Sequence, residues 1–294
     1  MMFSMHHRQP ILPCTLLIAG VLAACSSTSD KGDDTTGTTG TTGTTGTTGT
    51  TDSAEADDSG EADGVSIPLR LTFSDGVTGV PIADAEFCAV LPAIEPACQT
   101  SDAAGMIETT WETAEYTDVL SRLTHPDYLT MLYTGRYEQD VHDGWTTALE
   151  SNDAVSIGYI AFTPAMAAGY ISTGDVTIEA GTGMALYWMV SADESSLEGA
   201  VITLEDASGA AVGDVRYQSG AGVTLDPTLT ATSTAGVTAI ANIPPGEYTL
   251  RVTHDSLTCL PGFAFSSEIP NVTTVPVEAD SQTIGNLFCG TAAE

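Results

Sequence analysis

Apolar and polar residues alternate in short runs along most of the chain beyond residue 65. Ile67, Leu69, Leu71 and Phe73 are separated by Pro68, Arg70 and Thr72, which puts the apolar set on one face of a strand. Similar alternation recurs over residues 85–90, 119–123, 128–133, 200–204, 248–252 and 272–277, with Gly, Pro, Asp and Asn between the runs. Short strands punctuated by frequent turns predict an all-β fold built of sandwiches. One segment reads as a helix, residues 164–168, with Thr163 as N-cap and Gly169 as stop.

The first 64 residues follow other patterns. Residues 1–10 carry Arg8, His6 and His7 and no acid, and the apolar run 11–24 is too short to span a bilayer comfortably, so a cleaved export signal is expected. Residues 35–49 are five copies of Thr-Thr-Gly, followed by Asp52, Glu55, Asp57, Asp58, Glu61 and Asp63. A three-residue period with Gly but no Pro reads as a flexible spacer rather than a triple helix. Its reach is roughly 35 Å, lengthened by like-charge repulsion. The acids lack the alternating ligands, central Gly and terminal Glu of a calcium loop, so they read as a solvated spacer.

The apolar run ends in Leu22-Ala23-Ala24-Cys25. These four residues resemble the bacterial lipobox, in which the cysteine thiol receives a diacylglycerol and the new amino terminus is usually acylated. The resemblance implies that residues 1–24 are a lipoprotein signal peptide, that Cys25 is the lipid-attachment site, and that the folded part is extracytoplasmic and tied to a membrane. Several acyl chains at roughly 0.8 kcal/mol per buried methylene would make that anchor permanent. Ser26 rather than Asp after the cysteine leans toward the outer membrane by the same resemblance. The competing reading is an ordinary secretory signal in which Cys25 is incidental.

A net charge of −32, from 39 acids against seven Lys and Arg, narrows the partners. Lys31, Arg70, Arg122, Arg136, Arg216 and Arg251 are spread too widely to form a basic stripe, so nucleic acid is not expected as a partner. An anionic membrane surface would repel the chain as well. The acidity fits solubility and a monomeric state.

The two halves beyond residue 65 echo each other. Ile82-Ala83-Asp84-Ala85-Glu86-Phe87 aligns with Leu197-Glu198-Gly199-Ala200-Val201-Ile202, and Ser101-Asp102-Ala103-Ala104-Gly105 with Thr232-Ser233-Thr234-Ala235-Gly236. Arg122-Leu123-Thr124-His125 likewise aligns with Arg251-Val252-Thr253-His254, and the second copy carries a longer insertion between its first two echoes. Duplication of one sandwich unit is implied. The run 197–204, then Ala235-Gly236, then Asn242-Ile243-Pro244-Pro245-Gly246-Glu247-Tyr248-Thr249-Leu250, resembles the carboxypeptidase regulatory-like domain. That resemblance implies a transthyretin-like (Ig-like) β-sandwich and carries no peptidase activity, since the module accompanies enzymes and surface proteins. The first half matches through Val80-Pro81-Ile82-Ala83-Asp84-Ala85, residues 100–105 and His125-Pro126-Asp127-Tyr128. The expected organisation is signal 1–24, tether 25–64, sandwich 65–150, connecting segment with a short helix 151–182, and sandwich 183–294.

Cys14 leaves with the signal and Cys25 is assigned to lipid, so Cys88, Cys98, Cys259 and Cys289 remain, an even number suited to disulfides in an oxidising compartment. Of three pairings, Cys88 with Cys98 and Cys259 with Cys289 keeps each bond within one expected domain and stabilises by roughly 3 and 4 kcal/mol. A zinc site is the competing reading, but no CxxC or paired His accompanies these cysteines.

No residue is assigned to catalysis, and no metal or cofactor is expected. The chain has no GxSxG, HExxH or Gly-rich phosphate loop, and His125, His142 and His254 each stand alone in their segments. The echoed His125 and His254 read as turn residues after equivalent strands. Trp188, in an apolar run, reads as core. Trp145, in Asp143-Gly144-Trp145-Thr146-Thr147, is the exposed candidate for ligand contact by stacking on sugars. The expectation is a non-enzymatic envelope lipoprotein presenting structural or interaction modules, with an unknown extracytoplasmic protein or glycan as partner. A carbohydrate- or peptide-binding accessory module is the alternative, and a hydrolase using scattered carboxylates is a remote third.

Overall fold

The structure, a computed structural model, describes residues 66–92, 97–112, 116–265, 267 and 269–291. The expected export signal, Cys25 and the expected Thr/Gly tether therefore lie outside the described residues. Strand β1 (Ile67–Asp75) shows what the alternation produces: Ile67, Leu69, Leu71 and Phe73 are buried while Pro68 and Thr72 are exposed. The first half continues through β2 (Glu86–Leu91), β3 (Cys98–Thr100), β4 (Met106–Trp111), β5 (Thr117–Thr124), β6 (Thr130–Tyr137), α1 (Gln139–Leu149) and β7 (Val155–Ala161). The second follows α2 (Pro164–Ser172) with β8 (Gly183–Ser191), β9 (Val201–Glu205), β10 (Asp214–Gln218), β11 (Leu225–Asp226) and β12 (Val237–Ile243). It closes with β13 (Gly246–Thr253), β14 (Thr258–Pro261), β15 (Val272–Val277) and β16 (Ser281–Gly290).

The chain is all-β, two β-sandwiches in tandem, and strand pairing repeats from one to the other. β1 lies between antiparallel β4 and parallel β7, as β8 lies between antiparallel β12 and parallel β16. β5 pairs antiparallel with β2 and β6, as β13 does with β9 and β15. The insertion expected in the second copy is β10 and β11, which extend the sheet beyond β12. Each half packs its own core. One gathers Leu69, Phe73, Phe87, Leu123 and Met131, and the other Tyr187, Met189, Ile202, Leu250 and Leu287.

The halves share one sheet. β16 pairs in parallel with β6 over Ser281–Ile284 while pairing with β8 along its length, so the strands of the second half run on into β6, β5, β2 and β3 as a ten-stranded sheet. Ile284 is buried in the first core, and Leu287 and Cys289 in the second. The stretch 151–182 does more than connect: it supplies β7 beside β1, and α2 packs Ala167 and Ile171 on Met184, Leu186, Val237 and Ala239. β8 and β12 are consequently buried on both faces.

Thr163 caps α2 as expected, its side chain accepting from the Met166 N–H at 3.2 Å. Gly169 does not stop the helix, which runs to Ser172. A helical glycine costs only about 1 kcal/mol, and fully burying Ile171 on the sheet outweighs that. α1 has no counterpart in the sequence expectations. Gly144, Thr146 and Thr147 are poor helix formers, and the helix is held by packing of Val141, Trp145 and Leu149 on the first core.

Candidate functional site

The four cysteines among the described residues pair as Cys88–Cys98 and Cys259–Cys289, one bond in each sandwich. Both join residues directly opposite on antiparallel strands, β2 with β3 and β14 with β16. Their surroundings differ: Cys259 and Cys289 are 0% and 1% exposed, whereas Cys98 is exposed and Cys88 half-buried. A Glu86 carboxylate oxygen and the sulfurs of Cys88 and Cys98 lie within 4.8 Å of one another. With the sulfurs bonded to each other, no thiolate is present there to hold a metal.

Trp145 lies on α1, half-buried, with its ring centroid 5.4 Å from Tyr137 and 6.2 Å from Trp111. Tyr116 and His142 complete this aromatic cluster. The buried Tyr137 hydroxyl and His142 Nδ1 are 2.7 Å apart. Burial, then the neighbouring Tyr116, pushes the Tyr137 phenol above its ordinary value. Sequence reading missed this cluster apart from Trp145; the signal was the five-residue spacing of Tyr137 and His142 across an unrecognised strand-to-helix junction. Trp188 is half-buried between the first core and the α2 layer.

Among the described residues, His125, His142 and His254 join no cluster of metal-ligating side chains. His125 Nδ1 accepts the Asp127 N–H at 3.1 Å and His254 Nδ1 accepts the Ser256 N–H at 3.3 Å, so both close turns after equivalent strands. A cleft of about 210 Å³ lies between α2 and the starts of β8 and β16, walled by Leu129, Ala167, Ile178 and Met184 with Asp280 at its edge.

Asp75, at the end of β1, accepts four hydrogen bonds. Burial by itself would raise its pKa, but the N–H groups of Val77 and Thr78 and the hydroxyls of Thr78 and Tyr128 all donate to it and hold it below the ordinary value. It fixes the turn that returns the chain from β1 to Pro81.

Each arginine among the described residues is engaged. Arg70 pairs with Glu108, Arg122 with Glu278, Arg136 with Glu138 and Arg251 with Glu205, while Arg216 donates to the carbonyls of Gly174 and Val215. The charge left over is acidic.

No protein-family model matches the chain, and no curated protein matches it. Among solved structures, the chain is similar to the shaft pilin SpaA of Lactobacillus rhamnosus GG, with 12% identity, 78% of this chain and 99% of that chain covered, and a TM-score of 0.24. It is similar to GBS52, the minor pilin of the Gram-positive pathogen Streptococcus agalactiae, at 11% identity over 78% and 97% of the two chains, with a TM-score of 0.27. For the Bacillus anthracis TIE protein the identity is 12% and the TM-score 0.24, over 77% of this chain and 35% of that one, so the chain spans about a third of that protein's length. Superpositions this loose transfer no property from those proteins to this one. Among the described residues no helix is long and apolar enough to cross a membrane.

Proposed function

We propose that the protein is a non-catalytic lipoprotein of the cell envelope, anchored through Cys25 and held off the membrane by its Thr/Gly-rich acidic tether. Its two sandwiches serve as a structural or interaction module. The observation that carries this reading is one disulfide within each sandwich, downstream of the lipobox-like Leu22-Ala23-Ala24-Cys25 at the end of an expected signal over residues 1–24. Disulfides persist in oxidising compartments, which is where such a signal delivers a chain. The use of each arginine among the described residues in internal bonds supports a partner that tolerates an acidic surface. Ser26 supports outer-membrane sorting.

The second sandwich is read as a carboxypeptidase regulatory-like module. Gly236 in a positive-φ turn and the Tyr248 hydroxyl donating to the Pro244 carbonyl at 2.7 Å support that reading at the residues that carry the resemblance. Intact-mass analysis of Cys25 peptides tests the anchor: thioether-linked diacylglycerol is expected, and Cys25→Ala should move the protein to the soluble fraction. Unmodified Cys25 thiol in membrane-associated protein would defeat the proposal.

A glycan- or peptide-binding role is the second reading, favoured by Trp145, which is only partly buried where it packs on Tyr137 and Trp111. Glycan-array binding that is lost in Trp145→Phe would support it, and binding indifferent to that change would remove Trp145.

A further inference from the structure

We propose that Cys88–Cys98 is a solvent-reducible clasp on the end of the ten-stranded sheet, and that opening it frees β3 from β2 while both sandwiches stay folded. The inference stands independently of the lipid anchor.

The two disulfides differ in what must move before a thiol can reach them. Cys259 and Cys289 sit in the second core among Leu287, Val275 and Ala264, and the Cys259 N–H and carbonyl both bond to Asn271. Attack there requires the sandwich to open. Cys98 instead faces solvent on a terminal strand of three residues, none of them buried. Exposure of the sulfur and access along the attack direction govern exchange rates, so the first bond should react long before the second.

Among the described residues, β3 is anchored at its end by the buried Ser101, and little else holds the stretch before it. Among the described residues its strand partner is β2, through Glu86–Thr100, Phe87–Gln99 and Cys88–Cys98 and a bond from the Ala89 N–H to the Ala97 carbonyl, with one side-chain bond from Gln99 to Thr109 at 2.7 Å. It buries no apolar side chain against the core, so without the cross-link the entropy of a free segment opposes a few exposed hydrogen bonds. β2 is held differently: it pairs with β5 on its other side and buries Phe87 and Ala89. Losing β3 therefore uncaps β2 without dismantling the sandwich.

The chemistry balances with a dithiol as the co-reactant. Its thiolate attacks the sulfur of the exposed Cys98, the Cys88–Cys98 bond breaks, and Cys88 leaves as a thiolate that takes a proton from water. The second thiol of the reductant then displaces Cys98 as a thiolate, and the reductant ends as its own disulfide, having given up two electrons. The Glu86 carboxylate beside these sulfurs repels an incoming thiolate, so Glu86→Gln should accelerate opening.

The test treats the oxidised full chain with dithiothreitol under native conditions, quenches aliquots with N-ethylmaleimide, and maps the labelled peptides alongside hydrogen exchange. Cys88 and Cys98 should label at least about tenfold faster than Cys259 and Cys289. Deuterium uptake should rise in peptides covering 86–91 and 97–100 and stay unchanged across β8 and β13. The doubly substituted Cys88→Ser/Cys98→Ser chain should reproduce that uptake with a native circular dichroism spectrum. Equal labelling of all four cysteines, labelling only on global unfolding, unchanged uptake at 86–91, or an unfolded double variant would each overturn the proposal.

Discussion

Ser101 and Thr232 hold the same place in the two sandwiches and make the same two hydrogen bonds. The Ser101 hydroxyl accepts from the Ala85 N–H at 2.9 Å and donates to the Ile82 carbonyl at 2.8 Å. The Thr232 hydroxyl accepts from the Ala200 N–H at 2.9 Å and donates to the Leu197 carbonyl at 2.7 Å. Both residues are 3% exposed, so their loss would leave a backbone donor and acceptor without water to replace them. Ser101→Ala and Thr232→Val should each destabilise by about 1–3 kcal/mol. Thr232→Ser should retain most of the stability, as read from urea midpoints.

Gly105 and Gly236 close the turns that follow, at φ of 67° and 66°. A Cβ on Gly105 would stand 2.6 Å from the Phe73 carbonyl oxygen, and one on Gly236 2.6 Å from that of Met189, oxygens that the turns cannot move without breaking β1 or β8. Gly→Ala at either site combines a left-handed penalty with a backbone clash and should cost about 2 kcal/mol or more. Alanine at Gly79, which also has positive φ but open space around it, should cost less, and equal losses at all three would refute the clash.

Stability should fall in acid partly through Asp75. Its pKa is held below the ordinary carboxylate value in the folded chain, so its contribution is present above pH of about 4 and is lost as pH falls through the folded pKa. Asp75→Asn should be less stable at neutral pH and show a shallower decline below that point. An unchanged slope in acid denaturation would show that the four bonds to Asp75 do not couple to folding.

Ile284 and the Arg122–Glu278 pair both tie the halves together, and unequally. Arg122 and Glu278 are 3.0 Å apart but their side chains are 37% and 45% exposed, so Arg122→Ala should cost under about 1 kcal/mol. Ile284, 8% exposed in the first core on a strand of the second half, should cost about 2–4 kcal/mol as alanine. The reverse order in denaturant titrations would assign the junction to the ion pair.

The disulfides should differ in weight. They close separations of 10 and 30 residues, which the loop-entropy estimate converts to about 3 and about 4 kcal/mol. Replacing Cys259 and Cys289 by alanine removes core packing as well and should lower the midpoint further than replacing Cys88 and Cys98, measured on folded, purified double variants.

Strands were legible in the sequence where one face meets a core and the other meets water. β1, β9 and β13 bury every second residue, and that period of two is what the alternation records. β8, β12 and β16 escaped it because each opens with five consecutive buried positions, between a core on one side and α2 or the first sandwich on the other. α1, and with it the seating of Trp145 on Trp111, escaped because packing rather than propensity makes that helix.

The sequence by itself determined the all-β class and the duplication through the Ser101 and Thr232 echoes, since local pattern and turn residues carry these, whereas a count of four cysteines left three pairings between which the structure decided. The sequence also carries the export and lipid-attachment expectations at Cys25. Only the tertiary structure decided that β16 bridges both halves by lying between β8 and β6, that α2 covers β8 and β12, and that one disulfide is exposed and the other buried. Those outcomes depend on contacts between residues far apart in the chain, and a pattern with a period of two or 3.6 residues holds no record of which distant strand supplies the neighbour.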